Sequence, residues 1–219
     1  MTGARVIAID GPAGSGKSTV ARGVASALGL PTLDTGAMYR TVTLAAMESG
    51  VDLSDADAVA VVARTADMDL GGGGVLLEGR DVATEIRGPE VTANVSQVSA
   101  HPAVRAVLVD RQRAWVAAHD GGVVEGRDIG TVVLPDAPVK VFITARDDVR
   151  AARRHRDEAD AERAVGVDRV RDALTQRDHA DGTLGRATRP EDAAADAMVI
   201  DTSDIPAEDV IAQIVERAR

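Results

Sequence analysis

Eight residues near the amino terminus, Gly11-Pro-Ala-Gly-Ser-Gly-Lys-Ser18, constrain this chain more than any other stretch. They fill the spacing G-x-x-x-x-G-K-[ST] at every fixed position, and their context agrees: Val6-Ile-Ala-Ile9 is a short apolar run of buried-strand type, and Thr19 to Leu28 carries apolar residues at helical spacing. A glycine-rich loop between strand and helix directs several backbone N–H groups at one phosphate, and the positive end of the helix adds to that field. Residues 11–19 (Gly11, Pro12, Ala13, Gly14, Ser15, Gly16, Lys17, Ser18 and Thr19) are therefore the expected nucleotide-phosphate cradle, with Lys17 reaching the β and γ phosphates of ATP and Ser18 ligating Mg²⁺.

Lysine usage supports this. Lys17 and Lys140 are the only lysines in a chain that otherwise takes its positive charge from arginine, so position 17 selects a compact ammonium where a planar guanidinium does not fit. The 219 residues, 45% of them apolar, suffice for a real core without staples, and the absence of cysteine removes disulfides and thiolate metal sites. Neither a signal pattern nor a membrane-length apolar run is present, so a soluble cytoplasmic protein without a membrane partner is expected. A net charge of −10 argues against a broad nucleic-acid surface. The arginines of 146–171 and 177–189 are interleaved with acidic residues, as on a solvated, ion-paired helical face.

The pattern predicts an α/β fold: a five-stranded parallel sheet flanked by helices, with strands at Val6–Ile9, from Thr32, at Gly122–Val124, Val139–Ile143 and Met198–Ile200. One domain over 1–219 is expected, with an inserted lobe at about 35–120 and a helical lid at about 146–190. Within the lobe, Met68–Leu70, Val75–Leu77, Val82 and Glu85–Arg87 read as short antiparallel strands, with tandem glycines at the turn. Thr35, Tyr39 and Arg40 follow a strand, on the side where ligands approach such sheets. No N/T-K-x-D guanine motif exists, and Val123-Val124 leads to Glu125 rather than to the aspartate a motor requires; a small-molecule kinase suits the remainder.

At Ile9-Asp-Gly-Pro-Ala-Gly-Ser-Gly-Lys-Ser18, Leu33-Asp-Thr-Gly-Ala-Met-Tyr-Arg40, Val95 to Arg105, Glu125-Gly-Arg-Asp-Ile-Gly-Thr-Val-Val133 and Gln176-Arg-Asp178 the chain resembles the bacterial cytidylate kinases, over nearly its whole length. The resemblance implies transfer of the γ-phosphoryl of MgATP to CMP or dCMP, with these as small-molecule substrates and a monomeric enzyme. It implies Thr35, Arg105 and Asp128 for reading cytosine, Arg40 and Arg127 for the phosphate of CMP, and Ser96, Arg177 and Asp181 for the sugar; hydroxyl and carboxylate accept from the exocyclic amine, and arginine forks suit phosphate oxygens. Lys17, Arg40, Arg127 and Asp128 form the implied catalytic set. Where the family places an arginine soon after the lid aspartate, this chain has Asp181-Gly-Thr-Leu184, so Arg186 or Arg189 is the expected substitute. Arg150 and Arg154, one helical turn apart, are expected to reach the ATP phosphates.

Overall fold

The structure is a computed structural model that describes residues 5–70, 74–160 and 166–219. In chain order it contains β1 (Val6–Asp10), α1 (Lys17–Leu28), β2 (Thr32–Asp34), α2 (Thr35–Glu48), α3 (Ala56–Thr65), β3 (Met68–Asp69), β4 (Leu76–Leu77), β5 (Arg80–Asp81), α4 (Pro89–Ala100) and α5 (Pro102–Ala118). There follow β6 (Gly122–Gly126), β7 (Val139–Thr144), α6 (Asp147–Asp160), α7 (Val167–Thr183), β8 (Met198–Asp201) and α8 (Ala207–Ala218). The chain divides into two compact units, one of Met1–Leu30 with Gly122–Arg219 and one of Pro31–Gly121. Among the described residues no helix is long and apolar enough to cross a membrane.

The five-stranded sheet has the order β2-β6-β1-β7-β8. Its registers are parallel, with Ile9 opposite both Glu125 and Val141 and Ile143 opposite Ile200. Burial on both faces explains why these strands read as continuous apolar runs rather than alternating ones. Ile7, Ile9, Val123, Val141, Ile143 and Ile200 pack with Val20 and Val24 of α1 and with Val210, Ile214 and Val215 of α8. The expected parallel sheet flanked by helices is thus present, and the closing helix lies on the core as its apolar stripe requires.

In the second unit, α3 is capped by the Asp55 carboxylate, which accepts from the N–H groups of Asp57 and Ala58. β3, β4 and β5 form a small antiparallel sheet, pairing Met68 with Leu77 and Leu76 with Asp81. Part of the glycine run expected at its turn, 71–73, lies outside the described residues. Glu85–Arg87 is not a strand but a single 3₁₀ turn, closed by Gly88 N–H donating to Glu85 O. The reason is local: one apolar residue, Ile86, has a core to enter, and Pro89 immediately starts α4, where a missing N–H costs nothing.

β1 leads into the loop through Gly11, whose φ is +148°. A Cβ there would lie 2.0 Å from the carbonyl oxygen of Ile143 on β7, so the loop leaves the sheet along a path that only glycine permits. Gly11→Ala is expected to destabilise the protein by about 3 kcal/mol, since backbone strain and a clash with main chain combine. Chemical denaturation with the midpoint and slope both fitted checks this, and a loss below about 0.5 kcal/mol, the range of an ordinary surface change, would contradict it.

Candidate active site

Lys17 opens α1 directly after Gly16, which takes a left-handed conformation (φ +92°) as the helix cap. Its ammonium is buried and donates to the carbonyl oxygen of Pro12 at 2.7 Å, so the side chain folds back inside its own loop. Burial, followed by the nearby charge of Arg127, pushes its pKa down to about 7; Arg177 acts in the same sense, and Glu125 and Asp10 oppose it. Ser15 is buried with no hydrogen-bond partner for its Oγ. Ser18 is half-buried in the first turn of α1, and Thr19 is exposed beside it. A loop with a desolvated cation, an orphaned hydroxyl and a backbone too tight for a Cβ fits an anion carried by a ligand.

The end of β1 also positions the end of β6. Asp10 accepts from the N–H groups of Ile129 and Gly130, each at 2.8 Å, and so pins the wide turn over Ile129–Val133 that follows Asp128. Asp10 was not anticipated as a site residue, although it directly precedes the loop. Burial pushes its carboxyl up to about 6 against the two N–H donors; the charge of Asp128 adds to the rise and that of Lys17 counters it. Asp128 and Glu125 are both buried.

The arginines of 146–189 divide: Arg146, Arg156, Arg169, Arg171 and Arg189 are exposed, as on a solvated, ion-paired face, but the other described ones are not. Arg150 and Arg186 are buried, and Arg153, Arg154 and Arg177 are half-buried. Asp181 serves two of the cations at once: its Oδ2 accepts from Arg127 Nε at 3.2 Å and its Oδ1 from Arg186 Nη1 at 2.7 Å. Main-chain bonds from Arg186 N–H to Asp181 O and from Ala187 N–H to Arg127 O tie the same segments together. Burial works to raise the Asp181 carboxyl, but Arg127 and Arg186 outweigh it and hold it below the usual range. Arg186 therefore occupies the interior while Arg189, largely exposed, pairs with Glu191 and Asp192. Arg177 is pushed down to about 10, by burial first and then by Arg127, against the pull of Asp181.

Arg150 turns to the loop's main chain: it donates to Ala13 O at 2.9 Å and pairs with Asp178 (2.5 Å) and Asp147 (2.7 Å). Arg153, which helical spacing from Arg150 did not select, donates to Ser15 O and, through both Nη groups, to the hydroxyl and carbonyl of Thr202. Thr202 also donates to Ser15 O at 3.1 Å. No sequence signal sets Arg153 apart from Arg154; the direction each takes from α6 does.

In the second unit, Thr35 is buried in the first turn of α2, and Arg40 is buried one turn on. Arg40 Nη1 donates to Ile86 O at 3.0 Å and to Thr92 Oγ1 at 2.9 Å, joining α2 to the 3₁₀ turn and α4. Tyr39 is half-buried on α2, Ser96 is exposed on α4, and Arg105 is half-buried near the start of α5. The first unit thus gathers Lys17, Arg127, Asp128, Arg150, Arg177, Asp181 and Arg186, and the second holds Thr35, Tyr39, Arg40, Ser96 and Arg105.

A parallel sheet with a phosphate loop at the carboxyl end of its central strand, β1, defines the P-loop kinase class of fold, and solved structures agree. A gluconokinase from Sinorhizobium meliloti 1021 aligns with a TM-score of 0.50 at 17% identity, over 100% of this chain and 91% of that one. An uncharacterized protein from Eubacterium ventriosum aligns with a TM-score of 0.52 at 13% identity, over 96% of each chain. Within that class, the family model for cytidylate kinase matches residues 7–219, and the chain belongs to the cytidylate kinase family. It is 50% identical over 218 residues to a cytidylate kinase of Mycobacterium avium (strain 104), covering 98% of this chain and 95% of the relative. It is 48% identical over 216 residues to that of Pelotomaculum thermopropionicum, covering 96% and 94%.

The depressed pKa of Lys17 has a measurable sign. Near pH 8 an ammonium with a pKa of about 7 is mostly neutral, and a polyphosphate placed against it restores the charge, so binding must take up a proton. Titration calorimetry with MgATP at pH 8, in buffers of different ionisation enthalpy, should report uptake of close to one proton, falling towards zero below about pH 6 where Lys17 is already charged. Binding enthalpies independent of the buffer at pH 8 would show that Lys17 stays charged throughout.

Proposed function

We propose that this protein transfers the γ-phosphoryl group of ATP to CMP or dCMP, giving ADP and CDP or dCDP. One observation carries the reading: Arg127 and Arg177 lie near enough to Lys17 to disfavour its charge beside a phosphate loop, and a bound polyanion relieves that repulsion. The acceptor is already anionic. An oxygen of the CMP phosphate attacks the γ-phosphorus in line, the bond from that phosphorus to the β-bridging oxygen breaks, and the electrons leave on ADP. No covalent enzyme intermediate is needed, because alignment and neutralisation supply the acceleration.

In this reading, residues 11–19 hold the donor phosphates and Lys17 follows the transferring group. Among the described residues no cluster of three or more His, Cys, Asp or Glu suits a metal ion, which fits Mg²⁺ held by Ser18 and the nucleotide's own oxygens. Mg²⁺ supplies charge neutralisation at the β and γ phosphates when bound. Arg40 and Arg127 take the acceptor phosphate, and Asp181 aims Arg127 and Arg186, the arginine proposed in place of the one absent at Leu184. Thr35, Arg105 and Asp128 recognise cytosine, and Ser96 and Arg177 serve the sugar; Tyr39 belongs to the same acceptor side. Arg154 adds positive charge on the donor side, and Arg150 acts there through the loop's main chain.

A coupled assay of the purified protein with MgATP and CMP, dCMP, UMP, AMP or GMP tests the reading, with turnover expected for CMP and dCMP. ATP binding with no turnover of any monophosphate would point instead to a non-catalytic nucleotide switch. Lys17→Met should lower kcat by at least about a hundredfold with the fold intact, as loss of a charge that tracks the transition state does. Asp128→Ala should lower the ratio of kcat/KM for CMP over UMP by about tenfold or more, because a buried acceptor for the exocyclic amine is lost. An unchanged ratio with lower activity would assign Asp128 to the arginines.

A further inference from the structure

We propose that Asp178 is a positioning residue for the donor site, acting through Arg150 to hold the phosphate loop against helices α6 and α7. The inference rests on the kinase reading above and extends it to a side chain that makes no direct contact with the reacting groups in that reading.

The peptide of Ala13 is held from both sides. Its carbonyl oxygen accepts from Arg150 Nη1 at 2.9 Å, and its N–H donates a long hydrogen bond (3.4 Å) to Asp178 Oδ1. Its methyl group packs with Ala151 of α6 and with Val170 and Leu174 of α7. The main chain of α6 abuts the next residue as well, since a Cβ on Gly14 would lie 2.9 Å from the carbonyl oxygen of Arg150. Two helices far along the chain therefore set the shape of the loop that precedes α1.

Charge explains why Asp178 carries this arrangement. The Arg150 guanidinium is buried and, among the described residues, its Nε has no partner while both Nη groups are hydrogen-bonded. They meet two carboxylates of unequal value: the Asp147 side chain is 72% exposed and that of Asp178 only 15%. An ion pair with an exposed partner contributes little, whereas a shielded one is screened far less. Asp178 is then the counter-charge that keeps Arg150 on Ala13 O. Its neighbour on α7, Arg177, is close enough to act electrostatically on Lys17 and to be acted on by Arg127. One turn of α7 thus serves both the anion-binding cations and the main chain of the loop that they surround.

Asp178→Asn tests the inference, because it keeps one oxygen to accept from the Ala13 N–H and puts an NH2 that cannot accept where Arg150 was bonded, so the charge and the link to Arg150 are lost together. MgATP binding measured by calorimetry without acceptor should weaken about tenfold, the loss of one shielded charge-assisted contact, while the KM for CMP at saturating MgATP stays within about twofold. Arg150→Gln should weaken MgATP binding comparably, and the double variant should be no worse than the weaker single one, since both changes remove the same link. Unchanged MgATP affinity in Asp178→Asn, or additive losses in the double variant, would overturn the proposal. A fall in thermal midpoint with MgATP affinity preserved per folded molecule would also overturn it, by reducing Asp178 to a structural ion pair. Weakened MgATP binding in Asp178→Asn together with a wild type that phosphorylates no monophosphate would sustain this inference and sink the cytidylate reading.

Discussion

The buried amine of Lys17 is the constraint on which the rest of the first unit depends. Burial alone would neutralise it, and two arginines nearby push in the same direction. Glu125 at the end of β6 and Asp10 at the end of β1 work against that loss. The carboxylates are themselves desolvated and need donors; Asp10 finds them in the N–H groups of Ile129 and Gly130. The same bonds shape the turn that follows Arg127 and Asp128. A single buried cation therefore draws in the ends of two strands and the turn beyond one of them.

Carboxylates shared between arginines extend this organisation into α6 and α7. Asp181 divides its two oxygens between Arg127 and Arg186, and Asp178 divides its own between Arg150 and the Ala13 N–H. Each aspartate fixes groups far apart in the chain, and each is shielded enough for the Coulomb attraction to matter. The arrangement also bears on the lid arginine missing at Leu184. Arg186 reaches the interior from a position two residues later, because the chain folds back after α7 and its own N–H bonds Asp181 O.

Much of the fold was legible from local pattern. The glycine spacing of 11–18, the apolar runs of β1, β6 and β7, and the amphipathic stripe of α8 each have one reasonable structural meaning, and the structure carries all of them. Glu85–Arg87 was misread because a three-residue stretch with one apolar side chain has no periodicity to separate a strand from a turn; Pro89 and the core pocket for Ile86 decided it. The arginine-rich stretch misled for a different reason. Interleaved Asp and Arg look the same in sequence whether the pairs face water or one another in the interior, and only packing of α6 on α7 and on the loop tells Arg150 and Arg186 from Arg189.

By itself the sequence determined that a glycine-rich loop joins β1 to α1 and that a parallel sheet lies beneath it, because these follow from backbone sterics and hydrophobic period over a few neighbouring residues. Tertiary structure decided which charges are desolvated and which partner each one takes. That is why Asp10 and Arg153, unremarked in the sequence, hold the site's turn and loop. It is also why Arg150 grips the main chain of the loop. Charge interactions depend on distance and burial across more than a hundred residues of separation, and no local pattern encodes either.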